Sequence, residues 1–103
     1  MKIVAVSTLR NYWAEHHDTE QPLKAWYEKM DKSVLKSRHD VEECFGKSVK
    51  IIADDRARFK ISGNKYRLVV AIDYKRSWVF IKFVGTHAEY DKIDVKTINY
   101  SRP

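Results

Sequence analysis

From Arg56 to Lys82 the chain carries its cations on alternate residues of three successive strand-like runs. Strand side chains alternate faces with a period of two, so such spacing sorts charge from apolar surface. In the first run Arg56, Arg58 and Lys60 share a face, while Phe59 and Ile61 point the other way. Ser62-Gly63-Asn64 has turn chemistry. The second run sets Lys65, Arg67, Val69 and Ala71 against Tyr66, Leu68, Val70 and Ile72. After Lys75-Arg76-Ser77, the third run, Trp78 to Val84, sets Phe80 and Lys82 against Val79, Ile81 and Phe83. One face of the resulting sheet is apolar. The other collects Arg56, Arg58, Lys60, Lys65, Arg67 and Lys82, a surface suited to a polyanion.

The charge is uneven along the chain. Residues 1–55 hold nine Lys/Arg and ten Asp/Glu, whereas residues 56–103 hold eleven and four. Concentration in one half points to nucleic-acid contact more sharply than a high overall charge does; the plainer reading is a solvated basic face. With 103 residues and 44% hydrophobic content the chain fits one packed domain, 1–103, ending in a loose tail over about 99–103. Cys44 has no second cysteine to pair with, and its helical spacing with Val41 and Phe45 predicts a reduced, buried side chain. The apolar start, Met1 to Val6, is too short for a signal peptide, and no run is long enough to span a bilayer. A cytoplasmic protein with no membrane contact is expected.

The first half reads as one strand and two to three helices. Lys2–Val6 is strand-like, and Ser7 is placed to cap a helix bearing Leu9, Tyr12 and Trp13, ended by His16-His17-Asp18. A second helix is expected from Pro22, with Leu23, Trp26, Tyr27 and Met30 at helical spacing. Ser37 and Asp40 resemble a capping box opening a short third helix that stops at Gly46. Strands follow from Val49. Beyond Gly85 the periodicity fades into a tail with one helical turn near Asp91. The fold class is therefore α+β: helices on the apolar face of a small, mainly antiparallel sheet whose basic face stays open. Trp13, Trp26, Phe59, Tyr74 and Phe83 read as core, while Trp78 and Phe80 share the face of Lys82 and could stack on bases.

Chemistry is concentrated where the last strand runs into Gly85-Thr86-His87-Ala88-Glu89-Tyr90-Asp91-Lys92. Loops at the end of a rigid sheet are common places for reactive groups, and histidine exchanges protons near neutral pH. RNA cleavage without a metal needs a base for the 2′-hydroxyl, an acid for the leaving 5′-oxygen and cations for the charged phosphorane. His87, Tyr90 and the strand cations offer a candidate for each role.

The pair Gly63-Asn64-Lys65-Tyr66-Arg67-Leu68-Val69-Val70 and Gly85-Thr86-His87-Ala88-Glu89-Tyr90-Asp91 resembles the signature of the HigB family of bacterial toxins, within the RelE/ParE-like superfamily. The likeness extends to Ser7-Thr8-Leu9-Arg10 and Gln21-Pro22-Leu23-Lys24-Ala25-Trp26-Tyr27. It implies a ribosome-dependent mRNA endonuclease that enters the A site of the 70S ribosome, contacts rRNA and mRNA, and cuts by 2′-hydroxyl attack without metal or other cofactor. It also implies a helix-turn-helix antitoxin of the HigA type, a toxin–antitoxin heterotetramer and a monomeric free toxin. The family's Asn-x-x-Arg pattern falls on Asn64 and Arg67, and its Thr-His-x-Glu-Tyr-Asp pattern on Thr86, His87, Glu89, Tyr90 and Asp91.

Within that frame Arg67 is the expected phosphate-binding fork, with Arg58 and Lys82 as helpers and His87 and Tyr90 as the proton-transfer pair. Arg56, Lys60, Lys65 and Asn64 are expected along the RNA backbone. The rival is a non-catalytic RNA- or ribosome-binding module, or a gyrase-directed toxin, on the same scaffold. His16, His17, His39 and Cys44 lack zinc-motif spacing, and three glycines leave no room for a dinucleotide fingerprint.

Overall fold

The computed structural model describes residues 1–53 and 55–99. In chain order the elements are β1 (Lys2–Val4), α1 (Val6–Glu15), α2 (Glu20–Lys32), α3 (Arg38–Phe45), β2 (Val49–Ala53), β3 (Arg56–Ile61), β4 (Tyr66–Asp73), β5 (Trp78–Thr86) and α4 (His87–Tyr90). Short 3₁₀ turns at His17–Thr19 and Gly46–Ser48 follow α1 and α3. The sheet order is β1-β5-β4-β3-β2. β1 runs parallel to β5, and every other pairing is antiparallel. Helices α1 to α3 pack on one face, so the α+β architecture expected from the sequence is present.

The helical face supplies the core. Leu9, Leu23, Met30 and Val41 from the helices meet Phe59, Leu68, Val70 and Val79 from the strands, all fully buried. The Phe59 ring lies edge-on to Trp26 and Phe45 at centroid distances of 5.4 and 4.8 Å, a favoured aromatic geometry. Trp13 and Tyr74 pack only at its margin. Cys44 is half-buried, its Sγ 3.5 Å from Ser33 Oγ.

Helix ends depart from the sequence expectation in detail. α1 begins one residue before Ser7, after Ala5 in the left-handed region at φ 73°, and no side chain caps it. α2 starts two residues before Pro22, which therefore sits in the first turn, where its missing N–H costs no helical bond. Ser37 does cap α3, accepting from the Asp40 amide, but the Asp40 carboxylate accepts from Lys36 rather than closing the box. Gly46, at φ 61°, terminates the helix as expected.

Two further differences bear on function. Val69 pairs with Phe83 but Val70 pairs with Ile81, so β5 carries a bulge at Lys82. The extra residue shifts the alternation by one. Phe83, expected in the core, lands on the basic face, and Val84 takes its place against the helices. The basic face is also not fully open. Arg56 Nη1 donates to the carbonyls of Val95 and Ile98 at 3.2 and 2.7 Å, drawing the segment after α4 back across the sheet. Val69, Ala71 and Phe83 are buried on this face, outside the helical core. Most of the expected loose tail, 100–103, lies outside the described residues.

A capping box seats α4: Glu89 Oε1 accepts from the Thr86 amide at 2.8 Å, and Thr86 Oγ1 accepts from the Glu89 amide at 3.1 Å. Gly85 makes this possible. A Cβ there would lie 2.6 Å from the Phe83 ring and 2.7 Å from Glu89 Oε1. Gly85→Ala should therefore push Glu89 out of the box and lower stability by about 1–3 kcal/mol. Chemical denaturation measures the loss, and broadened NMR signals from residues 86–91 should accompany it.

Candidate functional site

Register decides which cations meet. Across β3, β4 and β5, Lys60, Arg67 and Gly85 form one row, Arg58, Val69 and Phe83 the next, and Arg56, Ala71 and Phe80 a third. On the far side of β3, Lys50 stands opposite Arg58. Lys50, Arg56, Arg58, Lys60 and Arg67 thus share the face turned away from the helices, as alternation requires. Lys50 was missed by sequence reasoning, although the alternation Val49-Lys50-Ile51 carried the signal.

The structure treats these cations differently. Arg67 is only 5% exposed. Its Nη2 donates to Asn64 Oδ1 at 2.7 Å, and its Nη1 to the carbonyls of Asn64 and Tyr66 at 3.0 and 3.3 Å. The Tyr90 ring covers the guanidinium, with Cζ 5.9 Å from the ring centroid. Asn64, expected on the RNA, is the clamp that holds this arginine. Arg58 lies beside the same tyrosine, and its side chain makes no hydrogen bond or ion pair with the described residues. Burial pulls its guanidinium below the ordinary arginine value; nearby Arg67 adds to that pull, and Tyr90 opposes it. Two guanidiniums share one phenol, and among the described residues neither has a carboxylate partner.

His87 opens α4, three residues before Tyr90, a spacing that puts both rings on neighbouring positions of the helix surface. Its Nε2 is 3.4 Å from Asp91 Oδ2, and the imidazole is half-exposed. The His87 amide donates to the Lys65 carbonyl at 3.0 Å, fastening α4 to the β3–β4 turn. Lys60 is exposed beside Arg67. Lys82 stands in the bulge, its Nζ 5.6 Å from the Phe80 ring centroid and 3.4 Å from Asn99 Oδ1. It is two strands from Arg58, about 10 Å away.

Arg56 and Lys65 are occupied elsewhere. Arg56 holds the C-terminal segment. Lys65, at the turn, swings toward the helices, where its Nζ is 2.8 Å from Asp18 Oδ2. Asp18 also accepts from the Tyr66 hydroxyl at 2.9 Å and, through its carbonyl, from Ser62 Oγ at 3.2 Å. These bonds tie the α1–α2 connection to the turn that presents Asn64 and receives His87. No local pattern could have revealed Asp18, since its partners lie more than forty residues away.

The family model "HigB_toxin, RelE-like toxic component of a toxin-antitoxin system" matches residues 19–93, well over half of the chain and all of the cluster around Arg58, Arg67 and Tyr90. The chain belongs to this family. Membership in the HigB toxins makes it the toxic member of a toxin–antitoxin pair, with an antitoxin as partner. No curated protein matches it. Among the described residues, no helix is long and apolar enough to cross a membrane.

The Asp18 latch has a pH signature. Lys65 first, then the Tyr66 hydroxyl, hold the Asp18 carboxyl below its ordinary 3.8, against the opposing pull of desolvation. A carboxylate depressed on folding adds stability above its unfolded pKa and loses it as pH falls through the folded value. Asp18→Asn should thus lower the urea midpoint at neutral pH, with the gap to the parent protein closing below about pH 3.8.

Proposed function

We propose that this HigB toxin is an endoribonuclease that cuts mRNA in the ribosomal A site by attack of a 2′-hydroxyl on the adjacent phosphate. The observation that carries this reading is the pair of guanidiniums, Arg58 and Arg67, with no carboxylate partner among the described residues, sharing Tyr90 at the end of the sheet. Two neighbouring cations with no internal anion repel each other, and a bound phosphate relieves that cost.

Roles follow from accessibility. Arg58, half-buried and unbonded among the described residues, reaches the scissile phosphate and stabilises its added charge. Sequence reasoning points to Arg67 as the direct phosphate grip. With its terminal nitrogens engaged by Asn64 and Tyr66, it acts instead as a fixed positive charge behind Arg58 and Tyr90. With its Nε2 turned toward Asp91 Oδ2 at 3.4 Å, a neutral His87 offers Nδ1 to accept the 2′-hydroxyl proton. The oxygen so freed bonds to phosphorus, and the bond to the 5′-oxygen breaks. Tyr90 supplies the proton to that leaving oxygen. The products are a 2′,3′-cyclic phosphate and a 5′-hydroxyl. Lys50 and Lys60 flank the cluster and hold backbone phosphates, a sequence-blind role, while Lys82 lies farther along the strand. A HigA-type helix-turn-helix antitoxin is the proposed neutralising partner.

Expression without antitoxin should arrest growth, with transcripts cut only while translated. Arg58→Ala, His87→Ala and Tyr90→Phe should each slow cutting by about 100-fold or more while remaining folded and ribosome-bound. Mapping of transcript ends, with ribosome co-sedimentation, measures both. Arrest with intact transcripts would instead favour a non-catalytic or gyrase-directed toxin.

A further inference from the structure

The face that carries Arg58 does not end at the C-terminal segment. Arg67 pairs with Gly85 at one end of β4, and Asp73 pairs with Trp78 six residues on, roughly 20 Å away. Phe80 pairs with Ala71, which pairs with Arg56 on β3, so Phe80 and Trp78 stand on the face of the cations. Neither ring belongs to the helical core. Their centroids are 5.9 Å apart in an edge-to-face arrangement, and both are partly exposed.

Cations surround the two rings. Lys2, in register with Trp78 on β1, has its Nζ 5.2 Å from the indole centroid. The Arg76 guanidinium carbon is 6.0 Å from the same ring, and Lys82 Nζ is 5.6 Å from the Phe80 ring. Two carboxylate residues accompany them: Asp73, which already accepts from the Arg76 amide at 3.0 Å and faces Arg76 Nε at 3.7 Å, and Asp55, which lines the same hollow as Phe80. Flat π-faces bordered by mobile cations suit a ligand that is itself flat and anionic. A nucleobase can replace a lysine over an aromatic ring, and the displaced ammonium then meets the phosphate beside that base. An acidic protein would use the charges but gain little from two rings set for stacking.

We propose that Trp78 and Phe80, bordered by Lys2, Arg76 and Lys82, form a second contact for single-stranded RNA, a stacking platform that begins about 10 Å from Arg58 and reaches about 20 Å from Arg67. The proposal rests on the reading that the toxin's substrate is an RNA strand. The platform engages bases away from the cut, so it governs how well RNA is held rather than how fast the bond breaks. Bases of any identity stack there, because every base has a π-face.

The test measures binding of a labelled oligouridylate, long enough to span platform and cluster, by fluorescence anisotropy with the purified full chain. Trp78→Ala and Phe80→Ala should each weaken binding about tenfold, and Trp78→Phe, which keeps a π-face, should recover most of the loss. In a translation reaction the same alanine variants should raise the toxin concentration needed for half-maximal cutting and leave the saturated rate unchanged. Urea midpoints for Trp78→Phe and Trp78→Ala separate lost stacking from lost folding. Unchanged RNA binding by a folded Trp78→Ala protein overturns the proposal. So does weakened binding of the cognate antitoxin with RNA binding intact, which would make this a protein interface. A lower saturated cutting rate in Trp78→Ala, with binding intact, also overturns it. Absence of any toxin-dependent cutting, by the parent protein as well as its variants, would sink the nuclease assignment instead, leaving the anisotropy result to stand on its own.

Discussion

A guanidinium buried with no carboxylate partner among the described residues is the constraint around which this toxin is arranged. Burying a charge costs several kcal/mol unless hydrogen bonds and neighbouring dipoles compensate. Arg67 is compensated by Asn64 through side chain and backbone, by the Tyr66 carbonyl and by the face of Tyr90. All of these partners are neutral. The positive charge is therefore solvated but not cancelled, and it persists beside Arg58 and the phenol. An Asp or Glu in place of Asn64 would pair with the arginine and cancel the positive charge on which the proposed phosphate contact depends.

Everything around that group acts to hold it still. The β3–β4 turn carries Asn64, and its Lys65 carbonyl receives the His87 amide. The same turn is moored to the helical layer by Asp18 through Lys65, Tyr66 and Ser62. On the other side, Gly85 lets Phe83 and Glu89 come close enough for the Thr86–Glu89 capping box, which sets the start of α4 and hence the place of Tyr90. A single helical turn would not persist alone in water. In this toxin it is fixed by a glycine, a capping box and a backbone bond to the neighbouring turn.

The alternation of cations in residues 56–82 carried the central strands and their basic face, because burial of one face leaves strand register little freedom, while apolar spacing in the first half carried the helical cover. Family resemblance singled out Asn64, Arg67, Thr86 and Glu89 as motif positions, and the structure joins them in two bonded pairs, Asn64 with Arg67 and Thr86 with Glu89. What escaped was tertiary. The bulge at Lys82 moves Phe83 to the opposite face, and an inserted residue of this kind leaves no trace in a pattern of alternate residues. The diversion of Arg56 to the C-terminal carbonyls and of Lys65 to Asp18 depends on segments distant in sequence. The burial of Arg67, on which the proposed exchange of roles with Arg58 rests, was hidden for the same reason.

The chemistry of the cut ends tests the central claim most directly. Transcripts cleaved during translation in the presence of the purified toxin can be assayed for their termini by phosphatase sensitivity and ligation. Attack by the 2′-hydroxyl leaves a 2′,3′-cyclic phosphate upstream and a free 5′-hydroxyl downstream, and Arg58→Ala should remove these ends. Fragments bearing a 3′-hydroxyl and a 5′-phosphate would mean that water attacked instead, and His87 as base with Tyr90 as acid would be the wrong pair of roles.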